Sequence, residues 1–140
     1  LCPAGGAPAD CAATDAAWAE AADAIAGGPL LLAGGVPLAD AAAESFSRVF
    51  CLARHPRTAL GVRADGTLLL LVVDGRDGAH SVGMSLPELT ALLVELGAVD
   101  AINLDGGGST TMVVGGEVVN RPSDRLGERE NADALLVFPR

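Results

Sequence analysis

Between positions 105 and 109 the chain reads Asp105-Gly106-Gly107-Gly108-Ser109: a carboxylate, three consecutive glycines and a hydroxyl. Each glycine costs roughly 1 kcal/mol relative to alanine in regular structure. A plain hairpin rarely needs three. Consecutive glycines let backbone N–H groups converge and let a ligand approach the main chain closely, an arrangement that suits a phosphate. Ser109, Thr110 and Thr111 add hydroxyl donors. On spacing alone a simple turn is an equally good reading. Two nucleotide-binding readings fail on context. A Walker A loop needs a lysine after its glycines and there is none, and a dinucleotide fingerprint opens a helix, whereas Thr-Thr-Met-Val-Val follows here and favours a strand.

Three other segments carry groups able to do chemistry. In Arg54-His55-Pro56-Arg57-Thr58 the proline fixes a turn and sets Arg57 at the root of a strand, where a guanidinium can grip a phosphate through two parallel hydrogen bonds. A surface arginine is the plainer reading. Asp74-Gly75-Arg76 ends an apolar run, so Asp74 is either catalytic or a turn cap. Asn120 to Arg129 holds two carboxylates, Asp124 and Glu128, among three arginines, which a solvated polar loop would also explain. His55 and His80 are isolated in sequence and read as structural or surface histidines.

Composition narrows the classes. The chain has 140 residues, half of them apolar, enough for one domain with an ordinary core. The net charge of −9 argues against a general nucleic-acid binder, while a few cations inside a cleft still make a local anion site. All nine basic residues are arginine. No apolar run reaches the roughly 18 residues that span a bilayer. Cys2 and Cys11 flank a Gly/Pro/Ala loop and could close a small disulfide ring, which would imply an oxidising compartment. Cys51, in apolar surroundings, reads as a buried thiol. No CxxC or paired-histidine spacing suggests zinc. The chain starts at Leu1 rather than Met, as a mature product or excised segment would.

The elements that position these groups follow from periodicity. Residues 1–14 read as loop, and 15–140 as one domain. Trp18, Ala21, Ala22 and Ile25 predict a helix over Ala16–Ala26, with Asp15 as N-cap, stopped by Gly27-Gly28-Pro29. Leu30–Leu32 predicts a buried strand and Gly34-Gly35 a turn. Ser47–Leu52 reads as a strand. Arg57–Ala64 and Thr67–Asp74 read as strands joined by an Asp65-Gly66 hairpin. The unbroken apolar run Leu68–Val73 predicts cover on both faces. Ser85-Leu86-Pro87-Glu88 is a capping box opening a helix through Leu89, Leu92, Leu93 and Leu96, ended by Gly97. Strands are predicted at Val99–Leu104, Thr110–Val114, Glu117–Val119 and, in closing, Ala132–Phe138. With no regular βαβ alternation, the fold class is α+β: a mixed sheet with two main amphipathic helices.

Taken in order, Ile25–Leu31, Pro56–Gly61, Val72–Arg76, Ala101–Ser109 with Thr111, and Arg121–Asp124 with Gly127–Arg129 resemble segments of the phosphodiester glycosidase family. The resemblance runs from about Ile25 to Val137. The Asn-Gly-Gly-aromatic-Phe segment that family members carry upstream is not found, so the chain reads as N-terminally truncated, which leaves open whether this piece is active by itself.

The resemblance implies a hydrolase that removes a GlcNAc-like sugar from a sugar-1-phosphate diester. It implies a diester held by Arg57 and the Gly106–Gly108 amides, with Ser109 and Thr111 donating hydroxyls. Asp105 is the first candidate for acid/base or nucleophile and Asp74 the second; glycosidic cleavage generally uses two carboxylates about 5–10 Å apart. Thr58, Asn103, Ser123, Asp124, Glu128 and Arg129 complete the substrate-binding set, with Asp124 and Glu128 orienting Arg57 or binding sugar hydroxyls. No cofactor or metal is predicted, although a divalent ion would be compatible with the carboxylates. The expected partner is a sugar-phosphate diester or phosphorylated glycan, and the expected location is secreted or extracytoplasmic, in the cell envelope. The alternatives are a non-catalytic module binding anionic cell-wall glycans, and a structural domain whose glycines only make turns.

Overall fold

The computed structural model describes residues 22, 24–38 and 41–138. The first loop, Asp15, the Cys2 and Cys11 pair and nearly all of the expected Ala16–Ala26 helix lie outside the described residues; positions 24–26 are in no regular element.

The chain builds an α+β domain on a five-stranded sheet of order β2-β1-β5-β3-β4. The strands are β1 (Leu30–Ala33), β2 (Val36–Pro37), β3 (Arg57–Arg63), β4 (Leu68–Val73) and β5 (Ala98–Leu104). Where a mixed sheet was expected, every described pairing is antiparallel. The Asp65-Gly66 hairpin forms between β3 and β4, with Gly66 at φ 84°.

This topology brings the chemistry to one end of the sheet. Strand β3 runs antiparallel to both neighbours, so its start lies beside their ends: Arg57 faces Val73, and Thr58 faces Leu104. Asp74 and Asp105, the residues that follow β4 and β5, therefore leave the sheet beside Arg57. The antiparallel register alone gathers three segments that are far apart in sequence.

Helix α2 (Leu86–Glu95) covers one face. Its capping box forms as expected: the Glu88 amide donates to Ser85 Oγ (3.4 Å) and the Ser85 amide to Glu88 Oε2 (2.9 Å), satisfying two N–H groups that the first turn leaves unpaired. Leu86, Leu89 and Leu93 pack with Leu31, Leu32, Ala59, Ala98 and Ala101 into one core. Each fully buried leucine contributes about 1.5–3 kcal/mol. Gly97 ends the helix at φ 83°, a conformation that costs a side chain energy.

Several local expectations are corrected. Ser47–Leu52 is not a strand: α1 (Arg48–Leu52) is a short helix, with Ser47 Oγ accepting from the Phe50 amide at 3.2 Å. The capping hydroxyl outweighs the β-leaning Val-Phe pair. Strand β4 lies at a sheet edge and leaves Leu68 and Leu70 exposed, so an apolar run alone did not mean two covered faces. Thr110–Val114 shortens to β6 (Val113–Val114), which pairs with β7 (Glu117–Val118) around the Gly115-Gly116 turn. Ala132–Phe138 forms no strand, and Leu135–Phe138 are exposed. Among the described residues no helix is long and apolar enough to cross a membrane.

Candidate active site

The three glycines do not form a simple turn. Gly107–Ser109 is a single 3₁₀ turn, closed by the Ser109 amide on Gly106 O (3.2 Å) and the Thr110 amide on Gly107 O (3.2 Å). The Gly107 amide donates to Pro56 O at 2.9 Å, which docks the loop against the start of β3. Of the three glycine amides, those of Gly106 and Gly108 have no described acceptor. A Cβ at Gly106 would collide with Pro56 O, and one at Gly108 with the Asp124 carboxylate. The glycines are thus required for close approach on two sides, in addition to any ligand.

Arg57 is 2% exposed, and its guanidinium is largely committed. Nε donates to Met84 O (2.9 Å), and Nη2 to Phe50 O (3.0 Å) and Ala53 O (2.8 Å). Its Cζ lies 4.9 Å from the centre of the Phe50 ring. Short helix α1 therefore supplies a carbonyl and an aromatic face to this one cation. Burial pulls the guanidinium below its ordinary pKa, and the nearby Cys51 opposes that shift.

A second guanidinium reaches the loop. Arg76 adopts a left-handed backbone conformation (φ 62°), and its guanidinium fills the space beside the Gly107 Cα. Arg57, Arg76, Phe50, His55, Asn103 and Gly107 line a cavity of about 210 Å³, with Gly106 also on its wall. Sequence reasoning saw the Asp-Gly-Arg segment but did not select Arg76, because only its positive φ turns it toward Gly107. Burial first, then Arg57 and Arg76, lower the pKa of His55 and favour the neutral ring.

Asp74 anchors a separate network. Its Oδ1 accepts from the Arg121 amide (2.8 Å) and Asn120 Nδ2 (3.1 Å), and Oδ2 lies 3.1 Å from His80 Nε2. Burial raises the Asp74 pKa, but bonds from Arg121, Asn120 and His80 outweigh this and hold the carboxyl below the usual carboxylate range. Asn120 also donates to Thr110 O (3.0 Å) and accepts from the Met112 amide (2.8 Å), linking Asp74 to the Thr110–Met112 segment that follows the glycine loop. Neither Asn120 nor His80 carried any local signal beyond polarity.

The remaining candidates divide. Thr58 Oγ1 meets Thr110 Oγ1 at 3.3 Å. The Arg129 guanidinium bonds Ser109 Oγ and lies 3.6 Å from Asp124 Oδ2, so the 121–129 loop folds over the glycines. Thr111 Oγ1 and Ser123 Oγ are buried with no described partner. Asp105 is exposed, and no described hydrogen bond holds its carboxylate; Glu128 is exposed as well. Among the described residues no three His, Cys, Asp or Glu side chains gather as metal ligands would.

A family model for phosphodiester glycosidases matches residues 4–138. The chain belongs to the phosphodiester glycosidase family. It is 44% identical over 80 residues to bovine N-acetylglucosamine-1-phosphodiester alpha-N-acetylglucosaminidase, covering 57% of this chain and 15% of that protein. The catalytic domain of the zebrafish enzyme of that name, auto-inhibited by its pro-peptide, superposes with a TM-score of 0.63 at 32% identity, over 71% of this chain and 35% of that one. A candidate exported protein of Burkholderia pseudomallei is 59% identical with a TM-score of 0.53, over 54% of this chain and 15% of that one. This chain thus spans a small part of the length of the relatives it matches.

Proposed function

We propose that this chain carries the phosphate-binding half of a cleft that hydrolyses a sugar-1-phosphate diester, releasing a GlcNAc-like sugar. The observation that carries the reading is the cavity in which two guanidiniums, Arg57 and Arg76, meet the Gly106–Gly107 backbone. Positive charge fixed in advance around a phosphoryl group stabilises charge that develops on its oxygens. Arg76 grips the diester directly. Arg57, with Nε and Nη2 given to carbonyls, contributes its charge and its remaining terminal nitrogen from the cavity wall.

Asp105 is the acid/base or nucleophilic group of this reading. Its carboxylate is exposed at the end of β5, directly before the loop that receives the phosphate, and nothing described restrains it. Asp74, tied by three partners and held ionised, orients the Asn120–Arg121 segment and is the second carboxylate. Ser109, Thr111, Ser123, Asp124, Glu128 and Arg129 supply donors and acceptors to the sugar side. Export to the cell envelope is supported by the Burkholderia pseudomallei relative.

Sugar release from a GlcNAc-1-phosphate diester, measured with the wild-type protein and its Asp105→Asn variant, tests the reading. Turnover lost in the variant supports it. Diester binding without turnover, unchanged by Asp105→Asn, would favour an anionic-glycan-binding module instead.

A further inference from the structure

The chain holds a second cavity, of about 590 Å³ against about 210 Å³ for the one beside the two arginines, and no residue lines both. Helix α1 stands between them. It gives Phe50 to the smaller cavity and Arg48, Cys51 and Leu52 to the larger, an i, i+3, i+4 set that shares one helix face. The Phe50 ring stacks on Phe46, a residue of the larger wall, with centroids 5.3 Å apart.

The larger cavity is apolar. Leu31 and Leu86 are buried on its wall, while Leu52 and Val94 are 53% and 46% exposed and open to an incoming group. These side chains are apolar at every atom, so whichever part of them faces the space offers hydrocarbon. Thr90 brings the one hydroxyl of the wall, and Leu86 O takes it at 2.9 Å. Volume and lining match the usual small-molecule site, about 300–1,000 Å³ and mostly hydrophobic.

Among the described residues of this wall one is charged, Arg48 at the first position of α1. It is exposed and makes no described hydrogen bond or ion pair, so its long stem can carry the guanidinium to a group at the mouth. Two flanking acids are engaged elsewhere: Glu44 accepts from the Leu30 amide (2.9 Å), and Glu88 accepts from the Ser85 amide and from Arg54. In a chain of net charge −9, this cation sets the local sign against the global one.

We propose that the cavity binds an amphiphile with one hydrocarbon chain and one anionic head, the chain against the leucine-lined wall and the head on Arg48. The site is separate from the sugar-1-phosphate cleft, and neither reading depends on the other.

Calorimetry below the micelle threshold tests it with dodecanoate and dodecyltrimethylammonium, which share a chain and differ in the sign of the head. The net charge of the protein favours the ammonium, so preference for the anion requires a local cation. Dodecanoate is expected to bind at least about tenfold more tightly than the ammonium, and at least about tenfold more tightly than octanoate, which is four methylenes shorter. Arg48→Gln should weaken dodecanoate about fivefold or more and leave the ammonium unchanged. Ala91→Phe, at an exposed helix position on the wall, should weaken both by filling the space. Val94→Asp, also exposed, repeats that test should Ala91→Phe fold poorly. Dodecyl phosphate assigns the head: tighter binding than dodecanoate supports a phosphate, weaker binding a carboxylate. No uptake of dodecanoate, preference for the ammonium, or indifference to both wall variants overturns the proposal. A dimer that Val94→Asp dissolves, with no uptake of dodecanoate, overturns it and assigns the wall to a second copy of the chain.

Discussion

The carboxylate of Asp124 occupies the space that a side chain at Gly108 would need. The closing loop and the glycine loop therefore meet with no room for even a methyl group. Through Arg129, which reaches both Asp124 and Ser109, the contact becomes a clamp across the glycine turn.

Gly108→Ala should force that clamp open. An inserted methyl at a tight contact costs roughly 1–3 kcal/mol. The denaturant midpoint should fall accordingly, and the 121–129 segment should gain protease sensitivity. Gly115→Ala, where a Cβ meets nothing, carries only the cost of its positive φ and should leave the 121–129 segment as resistant as in the wild type.

The two arginines of the cavity should separate in their effects. Arg57→Ala takes a donor from the half-buried carbonyls of Phe50, Ala53 and Met84, of which Met84 O keeps the His55 amide as a second donor, and removes the cation from the Phe50 face, so a loss of about 2–3 kcal/mol in unfolding free energy is expected. Arg76→Ala removes an exposed side chain. It should change stability by less than about 0.5 kcal/mol and lower kcat/KM on a sugar-phosphate diester at least about tenfold. Comparable stability losses in both variants would contradict this division.

Asp74 should make stability depend on pH. Its folded carboxyl titrates below the ordinary range, so its contribution is full above the unfolded value, about 3.9, and is lost as pH falls through the lower folded value. Asp74→Ala should cost about 2 kcal/mol at neutral pH and flatten the acid limb, read from urea midpoints across that window. An acid limb of unchanged steepness would show that other carboxylates dominate it.

Asp105→Asn should leave the urea midpoint within about 0.5 kcal/mol of wild type, since the carboxylate is exposed and makes no described hydrogen bond. Sugar release should fall at least about tenfold, as expected when a general acid or base is removed. Activity that survives would transfer the catalytic role to Asp74.

Elements with strong periodic signals were legible in the sequence. The Ser85-x-x-Glu88 box, the leucine spacing after it and the Asp65-Gly66 turn each place local physics and tertiary structure in agreement. The segment 47–52 was not legible, because a single serine hydroxyl settles its conformation against β-favouring neighbours. The site was half legible. Glycines and carboxylates announce themselves by type, and their segments appear in the right order. The partners of Arg57 are backbone carbonyls, which every residue has, so no sequence pattern could reveal that the cation was already engaged. Arg76 was hidden for a different reason: a left-handed backbone at a non-glycine residue sets its direction.

The three carbonyls around Arg57 come from two separate stretches, one at residues 50 and 53 and one at residue 84. Only a flat, forked head can reach them from one stem; a lysine ammonium, a single point on a flexible chain, would have to choose among them. Arg57→Lys would therefore keep the positive charge and still unfasten helix α1 from the loop that leads into α2. At this position the scaffold makes its claim on arginine before any substrate arrives.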